Sequence, residues 1–213
     1  MTKKQRALAI VQALEQEYPQ AGCSLEYEQP YRLLVAVRLA AQCTDARVNQ
    51  ITPLLFERYP TLEALAGAGE SEVADIVRPC GLGNTKARDI VNMCRLLLAN
   101  FGGVVPDTIE ELLTLPGVGR KSANLIVGDV YAKPAVVCDT HCIRIAGLMG
   151  LVDSKNPLIV ERQLRAILPP EKSNDFCHRL VFHGRAVCKA RKPDCPACCV
   201  HEFCAFGKNK KSR

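Results

Sequence analysis

Four cysteines near the end of the chain stand close enough to share one inorganic centre. Cys188, Cys195, Cys198 and Cys204 read C-x6-C-x2-C-x5-C, four thiols within 17 residues. Pro193, Pro196 and Gly207 nearby permit the tight reversals that convergence needs. Four thiolates suit zinc or an iron–sulfur cluster, so the ligand types leave the metal open. Cys199 is adjacent and can replace Cys198 on spacing alone. The loop "KARKPD" between the first two cysteines presents Lys189, Arg191 and Lys192. A metal-pinned loop would hold these cations against phosphate at a lower ordering cost than a free tail.

A second chemistry is available at "LPGVGRKSAN", residues 115–124. Gly117 and Gly119, on either side of Val118, let the backbone turn sharply with no Cβ in the way, and a helix starts near Arg120. The unpaired N–H groups and positive dipole end of that helix suit a backbone phosphate, bound without reading sequence. Ala123, Ile126, Val127 and Val130 mark its buried stripe, and Lys121 lies opposite or on the flank at about 100° per residue. Two roles are open to Lys121. One is a further phosphate contact; the other is a nucleophilic amine, its ammonium form disfavoured by the helix N-terminus and Arg120. Asp139, in "VVCDTHCIRIAGLMG", follows an apolar run and precedes a helix. Taken alone it reads as an N-cap, a role worth about 1 kcal/mol.

The elements that must carry these groups read as helix almost throughout. With 213 residues, 48% apolar and 23% charged, the chain suits one domain or two small ones with a buried core. No apolar run reaches bilayer length, so no membrane association is expected. At the N-terminus Leu8, Val11, Leu14 and Tyr18 fall at helical spacing, which predicts an amphipathic helix and not a signal peptide. "YRLLVAVRLAAQ" is apolar on most sides, as a central helix would be. "RVNQITPLLFERYP" and "TLEALAGAGESEVADIVRPCG" each close on Pro or Gly. "TKARDIVNMCRLLLANFGG" has Ile90, Val91, Leu97 and Leu98 roughly on one side and stops at Gly102-Gly103. Thr108-x-x-Glu111 is a capping-box pattern, and Asn-Pro opens "NPLIVERQLRAILPP". "KPAVVC" alone looks extended, so the fold class is all-α. "CGLGNTKARDIV" (80–91) aligns with "PGVGRKSANLIV" (116–127) at an offset of 36 residues, suggesting a helix–hairpin–helix used twice. Leu82 then faces Val118, and Thr85 takes the place of Lys121.

Charge sharpens the picture. The net charge is +6, and residues 185–213 hold Arg185, Lys189, Arg191, Lys192, Lys208, Lys210, Lys211 and Arg213 against Asp194 and Glu202. The whole excess therefore sits beside the clustered cysteines. It is either a solvated end or an electrostatic footprint for nucleic acid. The other eight of the 12 cysteines (Cys23, Cys43, Cys80, Cys94, Cys138, Cys142, Cys177 and Cys199) are expected to be small buried hydrophobes in a reducing cytosol.

"LPGVGRKSAN", then "DTH", then "HGR" before the cysteine pattern, together resemble the endonuclease III family, bifunctional DNA glycosylase/AP lyases of the helix–hairpin–helix superfamily. "AAQCTDARVN" and "GLGNTKA" match family segments in the same order, so the resemblance spans nearly the whole chain. It implies that Lys121 attacks the sugar carbon of a damaged nucleotide, expels the base and forms a Schiff base. Asp139 would accept a proton or stabilise positive charge on the sugar, and β-elimination would nick the strand on the 3′ side. The four cysteines would hold a [4Fe–4S] cluster. Gln42 would enter the space left by the extruded base and Leu82 would wedge into the duplex, because a flipped base leaves a gap that costs stacking energy unless filled. The implied fold is a six-helix barrel domain, residues 23–133, and a cluster domain from 1–22 and 134–213, with Lys121 and Asp139 in the cleft between them. The implied partner is double-stranded DNA with damaged pyrimidines or abasic sites, bound by a cytoplasmic monomer.

The chain departs from the family pattern at Cys80, usually a larger aliphatic, and Gly83, often an aromatic, which implies a slimmer wedge loop. Two rivals remain. The adenine-mismatch glycosylase of the same superfamily lacks the hairpin lysine, carries a catalytic Glu where "AAQ" stands here, and has an extra C-terminal domain. A non-catalytic helix–hairpin–helix DNA-binding module with a structural zinc would use Lys121 only as a phosphate contact.

Overall fold

The computed structural model describes residues 1–210, with side chains through Lys208, and no strand occurs among the described residues. Lys211 and Arg213 of the basic tail lie outside the described residues, as does the Lys210 side chain. Among the described residues twelve α-helices follow one another: α1 (Lys3–Glu17), α2 (Pro30–Leu39), α3 (Asp45–Arg58), α4 (Leu62–Ala66), α5 (Glu70–Val77), α6 (Gly83–Phe101), α7 (Ile109–Leu112), α8 (Arg120–Asp129), α9 (Thr140–Leu148), α10 (Pro157–Ile167), α11 (Ser173–Ala186) and α12 (Ala205–Lys210). A 3-10 turn at Arg78–Cys80 joins the fifth to the sixth. None of these helices is long and apolar enough to cross a membrane.

The chain divides into two compact units. One is Cys23–Tyr131; the other joins Met1–Gly22 to everything described from Ala132 onward. In the first unit α2 is its most fully buried helix, with Leu33, Leu34, Val35, Ala36 and Leu39 essentially without solvent contact. Burying each Leu there stabilises the fold by about 1.5–3 kcal/mol. The 19-residue α6 packs Ala87, Ile90, Val91, Met93, Cys94 and Leu97 inward, while Leu98 is half-buried. It ends as expected, Gly102 turning left-handed and Gly103 N–H donating to the Leu97 carbonyl.

In the second unit α1 opens with a capping box that the sequence reading did not pick out: Thr2 and Gln5 each bond the other's backbone N–H. Its buried stripe is Ala7, Ile10, Val11 and Leu14, and the expected Leu8 is instead exposed. The stripe is centred one step away from the large residue, on the small Ala7. The expected box at Thr108 is half made. Thr108 Oγ1 accepts from Glu111 N–H, but its hydroxyl then donates to Glu111 Oε2 at 2.6 Å, so the carboxylate does not reach the cap N–H. Asn156 caps α10 through the Leu158 and Ile159 N–H groups, with Pro157 behind it. Residues 133–138 belong to no helix or strand, and Ala135, Val136, Val137 and Cys138 are buried, which makes "KPAVVC" a buried connection into α9.

Candidate active site and thiol cavity

The hairpin 115–119 is shaped by one glycine and braced from behind. Gly117 has φ +74°, and a Cβ there would lie 2.5 Å from both Cδ and Nε of Arg38. Arg38 is held in that place by Asp89 Oδ2, at 2.7 Å from Nη2 and 2.8 Å from Nε, with both side chains largely buried. A two-pronged, partly desolvated pair of this kind is worth more than an exposed one and fixes geometry. Between the glycines Val118 points inward, while Gly117 and Gly119 stay exposed.

Gly119 is the N-cap of α8 and supplies no side-chain cap, unlike the threonines that cap α3, α4 and α7. The positive end of α8 therefore receives no cap from its own N-cap residue. Arg120 and Lys121 are exposed on this first turn, and Ala123, Ile126 and Val127 are buried. Asn124 joins the buried face, donating through Nδ2 to the Arg120 carbonyl, and Val130 is half-buried. The lysine thus stands on the solvent side of a helix start that favours anions.

Two further loops carry the residues expected to enter DNA. Gln42 (φ +57°) and Leu82 (φ +52°) are both in the left-handed region that non-glycine residues rarely adopt. Both side chains are exposed, Leu82 at 56%. A large apolar side chain pushed outward from a strained backbone is the arrangement a wedge requires.

In the other unit Asp139 caps α9. Its Oδ1 accepts from Cys142 N–H at 2.7 Å and its Oδ2 lies 3.3 Å from His141 Nδ1. The carboxylate is oriented at both oxygens and keeps partial exposure. The cap reading of Asp139 is realised in full.

Cys188, Cys195, Cys198 and Cys204 line one cavity, together with Ile145, Met149, His183 and Val200. Cys199 is not among the lining residues, so Cys198 is the one that faces the space. N–H groups stand beside two of the sulfurs, Arg144 Nη1 3.7 Å from Cys188 and Gly207 N 3.4 Å from Cys204, and His183 Nε2 lies 3.4 Å from Cys198. Burial pushes the Cys198 thiol up to about 12 and raises Cys188, which the Arg144 guanidinium pulls back down. Among the described residues no three His, Cys, Asp or Glu side chains converge tightly enough for a single metal ion. The thiols surround a space; they do not meet at a point. The loop they anchor closes through the Val187 carbonyl, which accepts from Lys189 and Asp194 N–H and leaves Lys189, Arg191 and Lys192 exposed.

Residues 35–170 match the family described as HhH-GPD superfamily base excision DNA repair protein. The chain belongs to this superfamily. Its curated relatives include endonuclease III of Synechocystis sp., 44% identical over 204 residues that cover 95% of this chain and 93% of that one. The Escherichia coli endonuclease III is 36% identical over 203 residues, covering 95% and 96%. Among solved structures, a trapped endonuclease III–DNA covalent intermediate in an estranged-adenine complex superposes with a TM-score of 0.91 at 39% identity over all of both chains. The all-α helix–hairpin–helix fold expected from the sequence is the fold of this superfamily member.

Within the Cys23–Tyr131 unit, the hairpin and the Gln42 and Leu82 loops share one scaffold, the end of α2 and the start of α6. Asp139, the four cysteines and the basic loop belong to the other unit. Sequence reasoning missed two members of the scaffold. Arg38 and Asp89 are 51 residues apart and look like ordinary surface charges on their helices. Lys86 is entirely buried, and its Nζ donates to the Leu39 and Cys80 carbonyls, each at 2.8 Å. Burial lowers its pKa, against the neighbouring Cys43 and Cys80 thiols, which raise it. The available signal was position, since Lys86 lies four residues before Ile90 and eight before Cys94 on the apolar stripe of α6. The scattered cysteines also divide: Cys80, Cys94, Cys138, Cys142 and Cys177 are buried as expected, whereas Cys23, Cys43 and Cys199 are only half-buried.

Proposed function

We propose that this protein is a DNA N-glycosylase with associated AP lyase activity, removing oxidised pyrimidines from duplex DNA in base-excision repair. The observation that carries this reading is the exposed Lys121 on the first turn of α8, directly after a braced hairpin and an N-cap without a side chain. The amine of Lys121, once deprotonated, bonds to the sugar C1′ and the damaged base departs with its electron pair. The C1′–O4′ bond then breaks, O4′ taking up a proton as the sugar ring opens and the nitrogen lone pair forming the C1′=N bond. This Schiff base acidifies the 2′ hydrogen, and loss of that proton expels the 3′ phosphate. Asp139 takes up the proton or balances the positive charge that develops on the sugar. Gly117, Val118, Gly119 and Arg120 hold a backbone phosphate, Gln42 fills the vacated stack and Leu82 separates the neighbouring bases.

Cys188, Cys195, Cys198 and Cys204 hold a [4Fe–4S] cluster, a reading supported by four thiols around one cavity with N–H groups beside two of their sulfurs. The cluster would pin the loop that brings Lys189, Arg191 and Lys192 to phosphate. Residues 23–133 form the hairpin-bearing barrel domain, and 1–22 with 134–213 the cluster domain. The protein works as a cytoplasmic monomer on double-stranded DNA containing damaged pyrimidines or abasic sites.

Borohydride reduction of the protein mixed with abasic duplex tests the reaction. A covalent protein–DNA adduct is expected; DNA binding with no adduct would favour a non-catalytic binding module. Asp139→Asn keeps a good N-cap. It should slow base release with little change in melting temperature, and a variant that only melts earlier would return Asp139 to a purely structural role. Iron analysis should find about four iron atoms per chain in a yellow-brown protein. Stoichiometric zinc in a colourless, active protein would contradict the cluster.

A further inference from the structure

Lys86 is a costly residue to bury, because a desolvated ammonium and an immobilised four-carbon stem both oppose folding. Its two hydrogen bonds reach backbone at separate places. One acceptor is the carbonyl of Leu39, the last residue of α2; the other is that of Cys80, the last of the 3-10 turn. Both are helix C-terminal carbonyls, groups that lack intrahelical partners and carry the negative end of the dipole. The Leu39 carbonyl stands three residues before Gln42, and the Cys80 carbonyl two before Leu82. Each loop then enters the left-handed region, at Gln42 and at Leu82. Such conformations persist only where the surroundings over-determine them.

We propose that Lys86 is a positioning residue that ties the Gln42 and Leu82 loops into one rigid unit, so that both side chains enter the duplex together; this rests on the reading of Gln42 and Leu82 given above. The lysine touches no DNA. It fixes the take-off point of both loops with one cation, so the gap left by an extruded nucleotide meets a preformed pair of side chains. Two loops moving separately would have to be ordered one after the other in the complex.

The test compares rates on abasic duplex, where the gap must be filled, with rates on a single-stranded abasic oligonucleotide, where it need not be. Borohydride trapping counts the competent enzyme in each preparation, so that misfolded protein drops out. Lys86→Met keeps the volume and removes the donors. Per competent enzyme, its duplex-to-single-strand rate ratio should fall about tenfold or more, the scale expected for misplacement at a distance. In a Gln42→Ala, Leu82→Ala background the same substitution should change that ratio less than about twofold, because the loops it acts through are already disabled. Equal loss on both substrates, or undiminished loss in the double-variant background, would overturn the proposal. Wild type that traps neither substrate refutes the lyase reading, and the proposal with it, which is a distinguishable result. Hydrogen exchange on wild-type protein provides a check that needs no folded variant. The Cys43 and Gly81 amides, bonded to the Ala40 and Arg78 carbonyls, should open with one shared protection factor. Protection differing by about a hundredfold would show two independent loops.

Discussion

Two joints in the Cys23–Tyr131 unit begin alike and end with opposite lysines. Gly81 and Gly117, 36 positions apart, have φ +76° and +74°. Each is followed by an aliphatic residue, a second glycine and a helix. After Gly81 the aliphatic Leu82 is thrust outward at φ +52°, whereas after Gly117 the equivalent Val118 turns inward. The lysines invert the pattern. Lys121 is exposed, its counterpart Thr85 is exposed too, and the lysine of the first joint comes one residue later, at Lys86, entirely buried. One residue is about 100° of rotation on a helix. The same turn thus presents either an exposed leucine with a lysine underneath or an exposed lysine with an aliphatic residue underneath. The two joints share a platform and differ in the register of a single lysine.

Moving that lysine should therefore have the largest effect. Lys121→Ser combined with Ser122→Lys keeps composition and charge but rotates the amine by one position. Borohydride trapping should fall on the order of a thousandfold or more, to the level of Lys121→Ala, as loss of a nucleophile does. Substantial trapping by the shifted variant would show that any amine on this turn suffices. Smaller effects should separate the two glycines by stability. Gly117→Ala combines a left-handed alanine with a collision at the Arg38 stem, and should cost about 2–4 kcal/mol in denaturant unfolding. At Gly81 a Cβ meets nothing within 4 Å, so Gly81→Ala should cost only about 1–2 kcal/mol, the price of the conformation alone. Equal losses would mean that the Arg38–Asp89 brace does not shape the second joint.

The local parts of this arrangement were legible in the sequence. Gly117 and Gly119 announced a turn, the Ala123–Ile126–Val127 stripe put Lys121 outside, and dense spacing singled out the four cysteines. Asp139 was readable as a cap because an N-cap depends only on the residues just after it. What escaped depends on partners distant in sequence. The position of Lys86 on the apolar stripe hints at burial, but its partners exist only once α2 and the 3-10 turn bring two helix ends, 47 and 6 residues away, to its amine. The left-handed backbone of Gln42 and Leu82 had no glycine to signal it. Cys198 could be told from Cys199 only once the cavity existed, since adjacent residues point in different directions.

The central claim is that one side chain turns a DNA grip into a reaction, and peptide mapping tests it directly. Wild-type protein is reduced with borohydride on abasic duplex, digested, and the DNA-bearing peptide sequenced by mass spectrometry. The account predicts the sugar remnant on Lys121, in the peptide that follows "LPGVGR". A remnant on any other amine, or tight binding to abasic duplex with no remnant at all, would contradict it.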